Sequence, residues 1–570
     1  MSARKKRWVV REPAPPDFLA RMSQYTPIVA TLLYQRGLHD PKEVESFLTS
    51  DYRGGLHDPF LMKDMQSASD RIITAINEQE PIAVYGDFDA DGVTAVTLLV
   101  QVISAMGGDI RPYIPHRVRE GYGLNTEAID RLNTEGVRLL ITVDCGISNI
   151  DEIAYANTVD LDIIVTDHHT PPEELPQAYA IINPKQSGCE YPYKQLVGVG
   201  IAFKLVQALV RRGAKMALRG RDLLDVVALG TVTDMGPLNG ENRVLVKAGL
   251  ESVNATERPG IRALLDDAGL VQGKIRASDI SFMIGPRLNA AGRIDDAVLS
   301  YQLLLADDLE AARTLAKRLS EANRQRQGMT REIQEHAHTK IQELEKNKNR
   351  IIVLDDEQYQ AGIVGLVASK LVDEFARPVL LIERGTETSR GSARSVPGFN
   401  MIEALTSCGE MFVRYGGHSA AAGFTIATDR LPELESYLLD YAETHLSDEL
   451  LLATLDVDSE TPLEILTWDL LDQLQLLEPF GQANAQPILM SRRVYVASAQ
   501  AKGFQEQHLK LRITNGEGGP SYDAIAFRLG HLAHYFQQHP WIDIAYVLEA
   551  NEWNGNRRLQ LNIKDLRRAQ

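Results

Sequence analysis

Residues 84–96 read VYGDFDADGVTAV, with aspartates at the alternate positions 87, 89 and 91 followed by Gly92. This is the opening of an EF-hand calcium loop, but the pattern stops there. Such a loop needs an oxygen ligand at position nine and a bidentate Glu at position twelve. Counted from Asp87, those positions are Ala95 and Leu98. An EF-hand is entered from a helix, whereas PIAVYG before the aspartates is a short β-branched run that reads as a buried strand. VTAVTLLVQVISAM after them reads as a helix. A strand ending in acids and followed by a helix is a frequent place for a ligand site in an open α/β sheet.

The strand–helix alternation extends well beyond this stretch. IAVYG, IRPYIP, LLITV, DIIVT and VVALGTVT are strand candidates between about 80 and 235. Strands alternating with helices imply βαβ units and a mainly parallel sheet, hence an α/β fold. A long charged helix is expected over residues 306–347, from ADDLEAARTLAKRL to TKIQELEKN. A second α/β unit then opens at RIIVLDDEQYQAGIVGLVASKLVDEF. Five strand-like runs between 487 and 567 suggest a small barrel of the OB type, its last two strands joined by a turn at Asn554-Gly555-Asn556. The expected domains are a helical lead-in (1–60), a catalytic α/β domain (61–255), a helical connector (256–348), a second α/β domain (349–447) and the barrel (448–570).

The 570 residues carry a net charge of -17, which argues against coating DNA by charge alone and leaves room for a local basic groove. The three cysteines (Cys145, Cys189, Cys408) form no CxxC pair, so a zinc site or disulfide framework is not expected and a reducing cytoplasm fits. No apolar run approaches the ~20 residues needed to span a bilayer. The basic start MSARKKRWVVREPAPPDF lacks a signal-peptide core.

Four of the strand candidates end in acids. They deliver Asp87, Asp89 and Asp91; Asp144; Asp167 with His168 and His169; and Asp234. Strand carboxyl ends share one edge of a parallel sheet, so these groups would converge there. Taken singly, Asp144 or Asp234 reads more simply as a helix N-cap. Taken together, carboxylates with imidazole and no thiolate suit Mn²⁺ or Mg²⁺. So many acids in one place call for more than one cation. Two ions are the usual device for in-line phosphoryl displacement, so phosphoester hydrolysis leads.

DHH after one strand and GDFDADG after another resemble the DHH phosphoesterase superfamily, and GGHSAAAGF from Gly416 resembles its DHHA1-type second domain. EGYGL, VDCGIS, VGVGIAF, GPRLNAAGRI and RGSARS, with the terminal barrel, narrow the likeness to the bacterial single-strand-specific 5′→3′ DNA exonucleases of that superfamily. The resemblance implies Asp89, Asp91, Asp144, His168 and Asp234 as metal ligands. Asp167, His169 and Asp87 would complete the catalytic set, and the ions would activate the attacking water. Arg117, Ser392 and Arg394 would hold a 5′ phosphate, while Arg287, Asn289 and His418 would line a groove between the α/β domains, too narrow for a duplex. Taken singly, such arginines read as ion pairs. Lys510, Arg512 and Trp553, with Tyr495, Phe504, Phe527 and Arg557, are barrel candidates for strand contacts, several of which must instead be core. YQAGIVG lacks a histidine that some relatives carry there, and Cys145 stands where some carry Asn.

The implied activity is release of nucleoside 5′-monophosphates from single-stranded DNA, in repair and recombination. A monomer served by a helicase and a single-strand-binding protein is expected. Two alternatives stand beside it: a phosphoesterase acting on short oligonucleotides or cyclic dinucleotides, and a DNA-binding scaffold without catalysis.

Overall fold

The computed structural model describes residues 6–117, 119–215, 219–516, 519–553 and 555–569, with Gln537 and Trp553 described by backbone alone. The chain divides into two compact units, Tyr52–Leu452 and Met1–Asp51 with Ala453–Gln570.

In the first unit, β1 (Ile82–Gly86), β2 (Ile110–Tyr113), β3 (Leu139–Val143), β4 (Asp162–Thr166) and β5 (Ala180–Ile182) form a sheet in the order β2-β1-β3-β4-β5. Every neighbouring pair is parallel. Strands β1 and β3 are wholly buried, as expected when helices cover both faces. Gly86 pairs with Val143 and Val143 with Thr166, so three strands end at one level. Helices α1 (Ala90–Ala105) and α2 (Gly198–Arg211) begin at this edge.

The expected strand VVALGTVT is instead most of helix α3 (Leu224–Thr233). Every residue from Leu224 to Val232 is buried. A helix apolar all round loses the 3.6-residue signature, and β-branched residues then mimic a strand. Gly230 permits the packing: a methyl group there would lie 2.3 Å from Thr94 Oγ1 of α1 and 2.7 Å from Val199 Cγ1 of α2. Asp234 is therefore the C-cap of a helix.

Helix α4 (Gly285–Ile294) and the 35-residue α5 (Leu309–Glu343) lead to a second sheet. Its strands are β6 (Ile352–Asp356), β7 (Val379–Glu383), β8 (Thr388–Arg394), β9 (Phe412–Gly417) and β10 (Ala421–Ala427), ordered β9-β10-β8-β7-β6. Only β6 and β7 pair in parallel.

In the other unit, β11 (Leu489–Lys502), β12 (His508–Thr514), β13 (Ser521–Ala526), β14 (Trp541–Trp553) and β15 (Asn556–Arg568) run β11-β12-β13-β15-β14. Pairing of β11 with β14 closes them into a five-stranded barrel. The turn expected at Asn554 falls partly outside the described residues. The N-terminal segment shares this unit's core: Phe18, Met22, Leu32 and Leu33 cluster with Leu470, Leu511 and Ile544. Among the described residues, no helix is long and apolar enough to cross a membrane.

Candidate metal centre

The loop after β1 is folded tightly by its own side chains. Asp89 caps α1, accepting from Asp91 N (2.9 Å) and Gly92 N (3.1 Å) through one oxygen and leaving the other for a ligand. Gly92 allows this closeness, since a methyl group there would lie 2.5 Å from Asp87 O. Helix α4 presses on the loop from outside. Asn289 Oδ1 accepts from Ala90 N at 2.8 Å, and a methyl group on Gly292 would lie 2.3 Å from Phe88 O.

Asp91 is buried and turned toward the start of α2, where it accepts from Gly198 N (2.6 Å) and Val199 N (2.8 Å). Those amides have no partner within their own helix. Asp144 follows β3 with φ 61°, left-handed backbone that aims its carboxylate into the rim. His168 Nε2 lies 3.0 Å from Asp144 Oδ1 and 3.8 Å from Asp234 Oδ2. The first contact does not have hydrogen-bond geometry: Asp144 Oδ1 is buried without a hydrogen-bond partner, as is Asp87 Oδ1. Orphaned acceptors aimed at one point, beside an imidazole nitrogen, fit a cation.

Three overlapping sets have ligand atoms within 4.8 Å of one another: Asp87, Asp89 and Asp144; Asp91, His168 and Asp234; Asp144, His168 and His169. All the residues expected as ligands are thus brought together, and the sharing of Asp144 and His168 fits two ions. The electrostatics point the same way. Burial and the neighbouring Asp89 push Asp91 up to about 7. Burial and Asp91 and Asp89 push Asp234 up to about 9. Burial with neighbouring carboxylates also raises Asp87 and Asp144 well above the usual range. Burial, then the adjacent His169, lowers His168 to about 3, leaving a neutral imidazole with a free lone pair.

Asp167 belongs to no ligand set. It is fully buried, bonded to Ile147 N (3.0 Å), His169 N (3.0 Å) and His169 Nδ1 (2.7 Å). Burial would raise its pKa, but these bonds outweigh burial and hold it low. Burial would lower His169, and the bond to Asp167 reverses that into a net rise. Tyr122 Oη also lies 3.3 Å from His169 Nδ1.

Arg117 stacks over the Phe88 ring at 4.8 Å. Beside it stands Arg293, which the motif reading passed over. Its pKa is pushed down to about 10 by burial and by the like charges of Arg117, Arg326 and Arg394, while Asp89 opposes the shift. Among the described residues none of these four arginines pairs with a carboxylate. Gly365 makes room for Arg394 and Ser392, since a methyl group there would lie 2.9 Å from Arg394 Nη2 and 3.4 Å from Ser392 Oγ.

Arg287 and Asn289 are placed differently from the expected groove. Arg287 is taken up in packing, bonded to Ser320 Oγ (2.9 Å) and Met283 O (2.7 Å) and 3.7 Å from Asp267. It sits on the helix turn facing α5, where those partners compete for it. Asn289 is spent on the metal loop. His418 is exposed at the turn between β9 and β10.

On the barrel, Lys510 lines a groove of about 420 Å³ with Asp523, Asn551 and Arg558. Arg512 bonds Ser521 Oγ at 2.8 Å. Phe504 and Phe527 are exposed, Tyr495 packs edge-on against Trp541, and Arg557 stacks on Trp468. The Trp553 side chain lies outside the described residues.

Residues 81–231 match the DHH family N-terminal domain, 348–444 the DHHA1 domain and 457–565 the RecJ OB domain. The chain is 37% identical to the single-stranded-DNA-specific exonuclease RecJ of Bacillus subtilis, over 99% of this chain and 71% of that protein. It is 33% identical to the Escherichia coli RecJ, over 95% and 96% respectively. The crystal structure of RecJ with Mn²⁺ from Thermus thermophilus superposes with a TM-score of 0.83 at 29% identity, covering 99% of this chain and 80% of that one. The Mg²⁺ complex of the same protein gives 0.78 at 28%, covering 99% and 79%. With three domain matches in order and such identity over nearly its whole length, the chain belongs to the RecJ family of single-stranded-DNA-specific exonucleases.

Proposed function

We propose that the protein is a metal-dependent exonuclease that hydrolyses single-stranded DNA from its 5′ end to nucleoside 5′-monophosphates. The observation that carries this reading is the adjacency of two groups. Arg117 lies over Phe88, the residue between Asp87 and Asp89, so the unpaired arginines begin where the acids do. A terminal phosphate held there would put the first phosphodiester beside the acids, which favours ends over internal bonds.

Asp87, Asp89, Asp91, Asp144, His168 and Asp234 would hold two Mn²⁺ or Mg²⁺ ions. Bound there, such ions lower the pKa of water and offset charge on the phosphoryl oxygens. The chain's own groups do the rest. Neutral His168 presents Nε2 to the rim. Asp167 accepts from His169 Nδ1, which fixes that ring and leaves Nε2 to hold a proton for the leaving oxygen. Arg117 and Arg394, together with Arg293 and Arg326, would clamp the 5′ phosphate, Arg being suited to bidentate contact. Lys510 and the exposed aromatics of the barrel would track the strand by charge and stacking. A cytoplasmic monomer, supplied by a helicase and working beside a single-strand-binding protein, completes the reading.

Digestion of 5′- and 3′-labelled single strands, 5′-tailed and 3′-tailed duplexes, and dinucleotides with Mn²⁺ or Mg²⁺ tests it. Labelled mononucleotide should appear first from the 5′ end of single strands and 5′ tails. First release from a 3′ end, or faster turnover of dinucleotides than of long strands, would refute it.

A further inference from the structure

The DHH segment leaves β4 and runs along the rim, where His168 and His169 are half-buried and their carbonyls call for partners. Strand β5 is only three residues long, and Ile182 O accepts from Asp167 N at 3.1 Å as its last ladder bond. Among the described residues, no backbone amide donates to the carbonyls of His168 and His169. The turn after β5 supplies side chains instead. Asn183, fully buried, donates from Nδ2 to His169 O at 2.9 Å. Its Oδ1 accepts from Lys185 N at 2.8 Å. Lys185 Nζ reaches back to His168 O at 2.5 Å. Both histidine carbonyls are thus tied to one Asn-Pro-Lys turn that holds no ligand itself.

We propose that Asn183 and Lys185 are positioning residues, which fix the backbone of His168 and His169 so that both rings meet the rim. The proposal rests on the metal-centre reading above. The lever is short: the His168 ring carries the Nε2 shared between Asp144 and Asp234, so a backbone shift at its carbonyl moves the atom common to two ligand sets. Asn183 is the pivot, because it also orders the Lys185 amide. The Lys185 bond is charge-assisted, and Met in its place would keep the stem while removing the donor.

Mn²⁺ titration by calorimetry without DNA, on the full chain and on Lys185→Met, Lys185→Arg and Asn183→Ala, tests this. Lys185→Met should weaken Mn²⁺ binding about tenfold, the lower end for losing a group that supports a metal ligand. It should lower kcat by a similar factor and leave KM for a 5′-phosphorylated strand unchanged, and Lys185→Arg should recover most of both. Parental Mn²⁺ affinity in Lys185→Met, even with a lowered melting temperature, would overturn the proposal. So would a raised KM with kcat retained, the mark of direct DNA contact. If Asn183→Ala fails to fold, the Lys185 pair decides alone. A parent that binds Mn²⁺ yet leaves DNA intact would refute the nuclease reading and leave the brace standing.

Discussion

Gly198 is the position where one methyl group should do most damage to the centre. An added Cβ would lie 2.7 Å from Asp144 Cβ, 2.9 Å from its Cγ and 3.0 Å from Oδ1. That is about 0.7 Å inside ordinary contact, and neither side can yield freely. Helix α2 is held by the two amide bonds to Asp91. Asp144 is held by its left-handed backbone and by its own N–H to Thr166 O at 3.0 Å. Overpacking of this kind costs about 1–3 kcal/mol, and the displaced group is a ligand common to two of the sets. Metal–ligand distances tolerate only about 0.2 Å. Gly198→Ala should therefore lower Mn²⁺ affinity by at least about tenfold and kcat by about a hundredfold. Gly200→Ala is the control, because the nearest atom to its Cβ would be the end of the flexible Leu196 side chain at 3.3 Å. Calorimetric Mn²⁺ titration and single-turnover digestion read both. Parental affinity and kcat in Gly198→Ala, or equal losses in the two variants, would refute the geometry.

Two further expectations concern stability. Asp91 and Asp234, raised to about 7 and about 9, bind protons in the folded chain that an unfolded carboxylate releases near pH 4. With EDTA, stability present at about pH 4 should be lost progressively as pH rises through 7 and 9, and saturating Mn²⁺ should remove that slope; a flat melting profile in EDTA would contradict it. Arg287→Ala should cost about 1–3 kcal/mol, seen as a lower melting temperature with KM for DNA unchanged, because Arg287 bonds Ser320 and Met283 O. Unchanged melting with a raised KM would return Arg287 to the DNA groove.

The strands at the heart of the site were legible because central parallel strands, buried on both faces, read as unbroken apolar runs closed by acids. The same rule misled at VVALGTVT, where a wholly buried helix has no polar face to reveal its period. Length could not arbitrate either, because the eight residues of the run fall within the four to eight of a buried strand and the helix gains its ten only from Leu224 and Asp225 before it. The arginines were harder. Arg287 and Arg293 are six residues apart on α4, about 240° around the helix, so one motif sends them to different surroundings. Whether an arginine is spent or free depends on partners far away in sequence, such as Ser320 and Asp267. The packing of the N-terminal helices against the barrel depends likewise on non-local contact.

How the rim is held follows from what it must bind. Asp87, Asp89, Asp91, Asp144 and Asp234 repel one another, and the simplest relief would be a lysine or arginine salt bridge. Among the described residues none of the five has one. A resident ammonium would compete with the cations and fill their place. The direct contacts come instead from uncharged groups, two α2 amides to Asp91, the Asp89 cap, and Asn289 and Gly292 pinning the loop, while Arg117 and Lys185 act on Asp87 and Asp234 only at longer range. Lys185 obeys the same logic, bonding a histidine carbonyl rather than an acid. Asp167, which takes a histidine as its partner, is the acid that stands outside the ligand sets. VYGDFDADGVTAV is therefore one of four segments of a device whose braces, α2, α4 and the turn after β5, all lie more than eighty residues further along the chain.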